Sequence, residues 1–131
     1  LAATGAVAAQ TGQLDIAEWG YERTLPFAGQ LCWTGQTYER PVDLHLARMA
    51  QGLGRHDEAE AHCAACIDLC ERADAPPFLA NTKDTWAGIL IERGGDPERA
   101  RQLASEALAT AQDLGMARLA ETATRHLAAL A

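Results

Sequence analysis

Apolar residues recur along most of the chain at intervals of three and four, the spacing that places them on one face of an α-helix. Short polar turns that contain glycine interrupt this pattern at residues 12–13, 54–57 and 94–97. At Gly94 and Pro97 a glycine stop is followed by a proline start, a strong helix boundary. The pattern therefore predicts helices over 2–11, 14–28, 41–53, 56–73, 77–93, 97–114 and 116–130.

Small residues repeat along these helices with a period of 41 to 42 residues. Ala17, Ala59 and Ala100 set the register. A small residue stands twelve positions before each of them, at Gly5, Ala47 and Gly88. The positions four and seven residues after each alanine also correspond: Tyr21 and Thr24, Cys63 and Cys66, and Ala104 and Ala107.

This repeat predicts stacked helical hairpins, because a small residue on the first helix lets the second helix approach closely. We expect one all-α domain over 1–131, an α-α superhelix of antiparallel hairpins. Its three repeats cover about 1–29, 41–74 and 77–115. The terminal helix at 116–130 is either a cap or the first helix of a further repeat.

The segment 29–40 has two glycines and no helical period, so it is predicted to be a long connector. A short extended piece is expected around Leu31–Trp33. Loops of this length are unusual between packed helices and often have a function. The alternative is a surface insert with Trp33 packed against the hairpins.

The spacing of the small residues resembles the tetratricopeptide repeat, although the period is longer than the ~34 residues of the standard repeat. Longer repeats of this kind are similar to the helical arms of large bacterial ATP-binding regulators with adenylate-cyclase or LuxR-type output domains. The stretches that carry this likeness are residues 25–27, 54–62, 74–80 and 109–116. Cys63 departs from it, because such sequences tend to have an aromatic residue there.

The resemblance implies an interaction scaffold within a bacterial signalling or transcription regulator. The chain starts at Leu1 and contains no G-x-x-x-x-G-K-[S/T] motif. We therefore expect a piece of a longer protein whose ATPase motifs lie elsewhere.

Composition and charge bear on the fold class, the partner and the location of the protein. Apolar residues make up 48% of the chain and aromatic residues only 5%, which favours helices over a β-sandwich. The net charge of −7 disfavours a nucleic-acid partner and suits either a basic peptide or simple solubility. No apolar run approaches the ~20 residues that span a bilayer. We expect a cytoplasmic protein, since reduced thiols fit its cysteine pattern better than disulfides.

Three cysteines, Cys63, Cys66 and Cys70, share one helix face next to His62. A zinc site would need a second pair of ligands, and Cys32 lies in the connector. In the repeat register these cysteines match Ala104, Ala107 and Ala111, which are interior small positions. We therefore interpret them as core residues and predict no metal and no cofactor; a zinc or redox role is the alternative.

No residue pattern indicates catalysis. His62 and Cys63 are neighbours on a helix and point about 100° apart, so they do not form a nucleophile–base pair. Asp57 and Asp96 stand where helices start and favour the helix dipole there. Glu98 and Arg101 are predicted to form a surface ion pair. The chain is accordingly not expected to be an enzyme.

The first helix of each tetratricopeptide hairpin lines the concave face of the stack. The resemblance then implies a binding surface formed by Leu44, Arg48, Gln51, Thr85, Ile89 and Glu92. Its mixed polarity suits a protein or peptide partner, which includes other domains of the same polypeptide. The terminal helices would allow a dimer.

Two other functions stay open. The chain is alternatively a sensor arm for a small ligand, which a deep pocket rimmed by Trp33, Trp86 or His45 would favour. Less favoured is an enzyme that depends on a metal or on the cysteines.

Overall fold

The computed structural model describes residues 1–33 and 38–131, and the side chains of 33–39 lie outside the description. The chain is all-α, as predicted, and 80% of it is helical. The helices are α1 (Ala2–Gln10), α2 (Leu14–Thr24), α3 (Val42–Gly52), α4 (His56–Arg72), α5 (Pro76–Arg93), α6 (Pro97–Asp113) and α7 (Ala117–Ala129). None of these described helices is both long and apolar enough to cross a bilayer.

The turn between α5 and α6 shows how the sequence sets the helix boundaries. Gly94 closes α5 in the left-handed conformation, with φ of 66°, which glycine adopts without steric penalty. Asp96 then caps α6, because its side chain accepts hydrogen bonds from the backbone N–H groups of Glu98 and Arg99. Pro97 occupies the first turn of α6, where its missing N–H leaves no bond unmade.

The predicted end of α2 is wrong by one turn. A helix was expected to run to residue 28, but α2 ends at Thr24 and a 3₁₀ turn, η1, covers Leu25–Phe27. Pro26 has no N–H to continue the helical ladder, which accounts for the change.

The connector contains a small antiparallel ribbon. Strand β1 (Leu31–Trp33) pairs with β2 (Tyr38–Pro41), with Leu31 opposite Pro41 and Trp33 opposite Tyr38. The extended piece expected around Leu31–Trp33 is therefore confirmed. The predicted packing of the Trp33 side chain, and positions 34–37, fall outside the described residues.

The chain divides into two compact units, Leu1–Cys66 and Ile67–Ala131, with the boundary inside α4. In the first unit α1, α2 and α3 pack on one another. In the second unit α5 packs on α6, and α7 packs on both. One apolar cluster of the second unit is centred on Leu90 and Leu103, and another on Ala80 and Leu119. The expectation of one continuous domain stays a prediction.

Residues that the repeat aligns with one another are buried to a similar degree. Ala17, Ala59 and Ala100, which align in sequence, are all buried. So are the three side chains four positions later, Tyr21, Cys63 and Ala104. The alignment by small residues thus identifies equivalent interior positions correctly.

Candidate functional site

The cysteine face of α4 is part of the core, as predicted. Cys63, Cys66 and Cys70 are buried, and all four cysteines of the chain are thiols. Burial raises the pKa of the Cys63 thiol far above its usual value, so the reactive thiolate is strongly disfavoured. In the described part of the chain, no three His, Cys, Asp or Glu side chains converge in a way that could hold a metal ion.

The acidic residues at helix starts lie where the sequence placed them. Asp96 caps α6, and Asp57 lies in the first turn of α4. Glu98 and Arg101 form the predicted ion pair on the surface of α6. Each of these roles is structural.

The six residues of the predicted binding surface differ in their exposure to solvent. Leu44 and Ile89 are 0% exposed, so their side chains do not reach a surface ligand. Arg48, Gln51 and Thr85 are partly buried, and Glu92 is exposed. The expectation that Leu44 and Ile89 line an open face is corrected by their burial, because both fill the core; a binding role for the other four stays a prediction.

A polar network ties three helices of the first unit together. His62 on α4 is the centre: its Nδ1 lies 3.0 Å from Asp43 Oδ1 on α3, and its Nε2 lies 2.9 Å from Tyr21 Oη on α2. Tyr21 Oη also donates to Glu58 Oε2 at 2.8 Å. The Tyr21 and His62 rings meet edge to face at 5.7 Å. We call these four side chains the α2–α4 network.

Asp43 anchors the network as a buried carboxylate. Burial alone would raise its pKa, but hydrogen bonds from His62 and from the Gly29 backbone N–H outweigh burial and lower it. The Gly29 N–H donates to Asp43 Oδ2 at 2.6 Å, so both carboxylate oxygens have partners. Because Gly29 begins the connector, this bond also fixes the point where the chain leaves η1.

Tyr21 is held as a neutral phenol. Burial, followed by its hydrogen bond to Glu58, raises its pKa well above the usual value. The Arg55 guanidinium lies 5.5 Å from the ring centre and pairs with Glu18 of α2 at 2.5 Å. A phenol that does not ionise near neutral pH is poorly suited to act as a base, so the network is better suited to holding helices together than to proton abstraction.

The second unit has a related pair at the equivalent position. Asp84 lies 41 residues after Asp43, which is the repeat period, and is likewise buried. Its Oδ1 lies 2.8 Å from His126 Nδ1. The partner histidine comes from α7, whereas Asp43 finds its histidine on α4. The two equivalent buried carboxylates are therefore each bonded to a histidine, but the histidines come from different helices.

His45 is a buried polar residue without a hydrogen-bond partner among the described residues. Neither Nδ1 nor Nε2 of its ring makes a hydrogen bond, and the residue is 4% exposed. Burial, with the nearby positive charges of Arg40 and Arg48, lowers its pKa to about 4. The ring is therefore neutral at physiological pH and adds no charge to the core.

Large exposed apolar side chains are concentrated in the first 27 residues of the chain. Seven of the eight described ones lie on α1, α2 and η1 or directly beside them. They are Leu1, Val7, Leu14, Ile16, Trp19, Leu25 and Phe27, which we call the α1–α2 apolar set. The eighth is Leu114, after α6. Such concentrations mark interaction surfaces more often than single exposed residues do.

Charge on α2 is mainly acidic next to this set. Asp15, Glu18 and Glu22 are exposed, and only Glu18 forms an ion pair, with Arg55. The one cation on α2, Arg23, stacks over the Trp19 ring at 5.1 Å from its centre. The surface of α2 thus combines exposed apolar groups with two carboxylates that have no ion-pair partner in the described residues.

Among the described residues, two shallow grooves lie near the ends of the chain. One, of about 770 Å³, is lined by α6 and α7 with Leu108, Gln112, Ala117, Ala120, Glu121, Thr124 and Arg125. The other, of about 450 Å³, follows the α1–α2 turn from Gly12 to Ile16. A pocket rimmed by Trp33, Trp86 or His45 would have favoured a small ligand. Neither of these two grooves is lined by His45 or Trp86, and the Trp33 side chain lies outside the described residues.

Sequence reasoning missed the α2–α4 network, because its hydrogen-bonded pairs lie 19 to 41 positions apart along the chain. One signal was present: Asp43 and Asp84 each precede a small register residue, Ala47 and Gly88, by four positions. Two buried carboxylates at interior repeat positions require hydrogen-bonding partners, and histidine side chains can fill that role. Both ring nitrogens of His62 are used in this way, which leaves none for Cys63.

No protein-family model, no curated protein and no solved structure matches the chain.

Proposed function

We propose that the chain is a protein-interaction module of tetratricopeptide-like helical repeats, and not an enzyme. The observation that carries this proposal is the α1–α2 apolar set, seven large apolar side chains exposed within the first 27 residues. Leaving such groups in water is unfavourable by about 25 cal/mol per Å². Covering them with a partner would recover that free energy.

The charge on α2 favours one class of partner, a basic amphipathic helix. Its apolar stripe would cover Trp19 and its neighbours, and its lysines or arginines would face Asp15 and Glu22. A second copy bound through the same surface would bring like charges together, and an anionic membrane would be repelled. The predicted dimer is thus less well supported than a basic protein segment.

The wider roles rest on the repeat pattern alone. A superhelical stack of the hairpins is supported by the equivalent burial of aligned residues in the three repeats, such as Ala17, Ala59 and Ala100. Membership of a bacterial regulator follows from the sequence resemblance, and a cytoplasmic location follows from the cysteine pattern; both stay predictions. No described feature favours the small-ligand alternative.

The test uses fluorescence anisotropy with a labelled amphipathic helix of leucine and lysine, and a matched helix of leucine and glutamate. The wild-type protein should bind the lysine peptide and not the glutamate peptide. The double variant Trp19→Ala/Phe27→Ala should bind it at least about tenfold more weakly, because large aromatic anchors dominate such contacts.

Leu114→Ala is the matched control, because Leu114 and Trp19 are both 49% exposed but lie on different elements. It should leave the affinity unchanged. Equal binding by the double variant and the control would refute the proposed surface. A concentration-dependent dimer in sedimentation, lost in Trp19→Ala, would identify a second copy as the occupant instead.

A further inference from the structure

The hydrogen bonds of the α2–α4 network require a definite number of protons. Three contacts join its four side chains: Asp43 to His62, His62 to Tyr21, and Tyr21 to Glu58. Each contact needs one hydrogen between its two heavy atoms. The side chains themselves determine where those hydrogens can be.

The hydrogen between Asp43 and His62 belongs to the histidine. Asp43 Oδ2 already accepts from the Gly29 N–H, and the lowered pKa of the carboxyl keeps it ionised. An ionised carboxylate only accepts hydrogen bonds. His62 Nδ1 therefore carries a hydrogen, which it donates to Asp43 Oδ1 at 3.0 Å.

The Tyr21 hydroxyl has one hydrogen and two neighbours that could receive it. Glu58 Oε2 lies at 2.8 Å and His62 Nε2 at 2.9 Å. If Tyr21 donates to Glu58, a bond to His62 requires a hydrogen on Nε2. If Tyr21 donates to His62, a bond to Glu58 requires a protonated Glu58. Without an additional proton, two lone pairs face each other at hydrogen-bond distance.

We propose that the α2–α4 network binds one additional proton, shared between His62 and Glu58 through the Tyr21 hydroxyl, and that this proton makes the packing of α2 on α3 and α4 depend on pH. With Glu58 ionised, His62 is an imidazolium that donates from both ring nitrogens. When the proton leaves to solvent, Tyr21 Oη keeps a bond to either Glu58 or His62 and loses the other.

The surrounding charges favour the bound proton. The titratable and charged groups that face His62 in the described residues are Tyr21 from α2, Asp43 from α3 and Glu58 one turn earlier on α4. Two of the three are carboxyl groups, which stabilise a cation between them. The Arg55 guanidinium, 5.5 Å from the Tyr21 ring, opposes this effect but is neutralised by Glu18.

Glu58→Gln is the decisive variant. A glutamine amide can donate to Tyr21 Oη while Tyr21 donates to His62 Nε2, so all three contacts form without the additional proton. Glu22→Gln is the matched control, since Glu22 is an exposed carboxyl on α2 outside the network. Both variants change the net charge by the same amount.

Nitrogen NMR of the histidine rings in the whole chain tests the proposal at neutral pH. His62 should be doubly protonated in the wild type and in Glu22→Gln, and protonated on Nδ1 alone in Glu58→Gln. A singly protonated His62 in the wild type would overturn the proposal, and this result does not depend on any variant. A His62 that stays doubly protonated in Glu58→Gln would overturn it equally.

Unfolding measurements give a second readout. A native state that binds one more proton than the unfolded chain loses stability as the pH rises, by up to about tenfold in the unfolding constant per pH unit. Where the network holds its proton and the unfolded chain does not, this slope should be present in the wild type and in Glu22→Gln, and reduced in Glu58→Gln. The buried thiols contribute the same background to all three proteins. Equal slopes would contradict the proposal.

Discussion

Gly5 on α1 and Gly20 on α2 lie so close together that a Cβ built on Gly20 would be 2.9 Å from the Gly5 Cα atom. Real side chains do not tolerate that distance to backbone, so the two helices can approach only because both residues are glycine. Gly5 is one of the three small residues that precede the register alanines by twelve positions. The close approach predicted from the repeat is therefore present in the first hairpin.

Gly20→Ala should consequently destabilise the protein. In an exposed helix this change is normally stabilising by about 1 kcal/mol. Here the methyl group would force α1 and α2 apart, and we expect a net loss of about 1–3 kcal/mol in the free energy of unfolding. Urea denaturation measures this loss, and Glu22→Ala on the exposed side of α2 is the control. A stabilised Gly20→Ala protein would show that the helices can separate freely.

Acid should unfold the protein in part through His45. Its pKa is about 4 in the folded chain and about 6.5 when unfolded, so the unfolded state binds the proton first as the pH falls. The contribution of neutral His45 to stability is complete above the pKa of the unfolded chain. It declines between about pH 6.5 and pH 4. The expected loss at pH 5 is about 2 kcal/mol.

The variant His45→Leu should remove this loss, because leucine has no proton to bind. It should also be more stable than the wild type at pH 7, by about 1–3 kcal/mol, since two ring nitrogens without hydrogen bonds leave the core. Urea titrations at pH 5 and pH 7 measure both effects. An unchanged acid sensitivity in the variant would assign the effect to another group.

The cap of α6 gives a prediction about local charge. Asp96→Ala removes two hydrogen bonds to the first turn and should destabilise the protein by about 1 kcal/mol. Asp113→Ala, at the opposite end of the same helix, should be neutral or slightly stabilising, because a negative charge there opposes the helix dipole. Thermal unfolding of the two variants separates the cap from a general charge effect, which would move both in the same direction.

The four thiols should react at different rates with a water-soluble disulfide reagent. Cys32 is partly exposed, whereas Cys63, Cys66 and Cys70 are buried, with the pKa of Cys63 strongly raised by burial. We expect one fast thiol and three that react only as the protein unfolds. Release of the chromophoric thiolate follows the reaction. Loss of the fast phase in Cys32→Ser would confirm the assignment, and a remaining fast phase would contradict it.

The sequence predicted the helices well because their signals are local. Periodicity, the Gly94 stop and the Asp96 cap all act within one or two turns. The burial of the cysteines followed from the repeat register, which compares distant segments that share a role. The end of α2 also has a local signal in Pro26, since proline lacks the N–H that a continuing helix needs.

The polar network was harder to predict because its chemistry depends on which helices meet. Tyr21 and His62 are 41 positions apart, and no sequence pattern near either residue indicates their contact. The predicted binding residues failed in part for a related reason. Leu44 and Ile89 were placed on an open face by counting along helices, whereas packing on neighbouring helices buries them.

The bond between Asp84 and His126 limits how this chain could be shortened or rearranged. Repeat proteins are often treated as interchangeable blocks that can be deleted or duplicated. Here Asp84, the buried carboxylate on α5, pairs with a histidine of α7, a helix outside its own hairpin. Asp43 on α3 pairs with a histidine of α4, in the same hairpin. Excision at residue 115 would leave Asp84 without its histidine. The α5–α6 hairpin therefore needs α7 to give its buried carboxylate a partner.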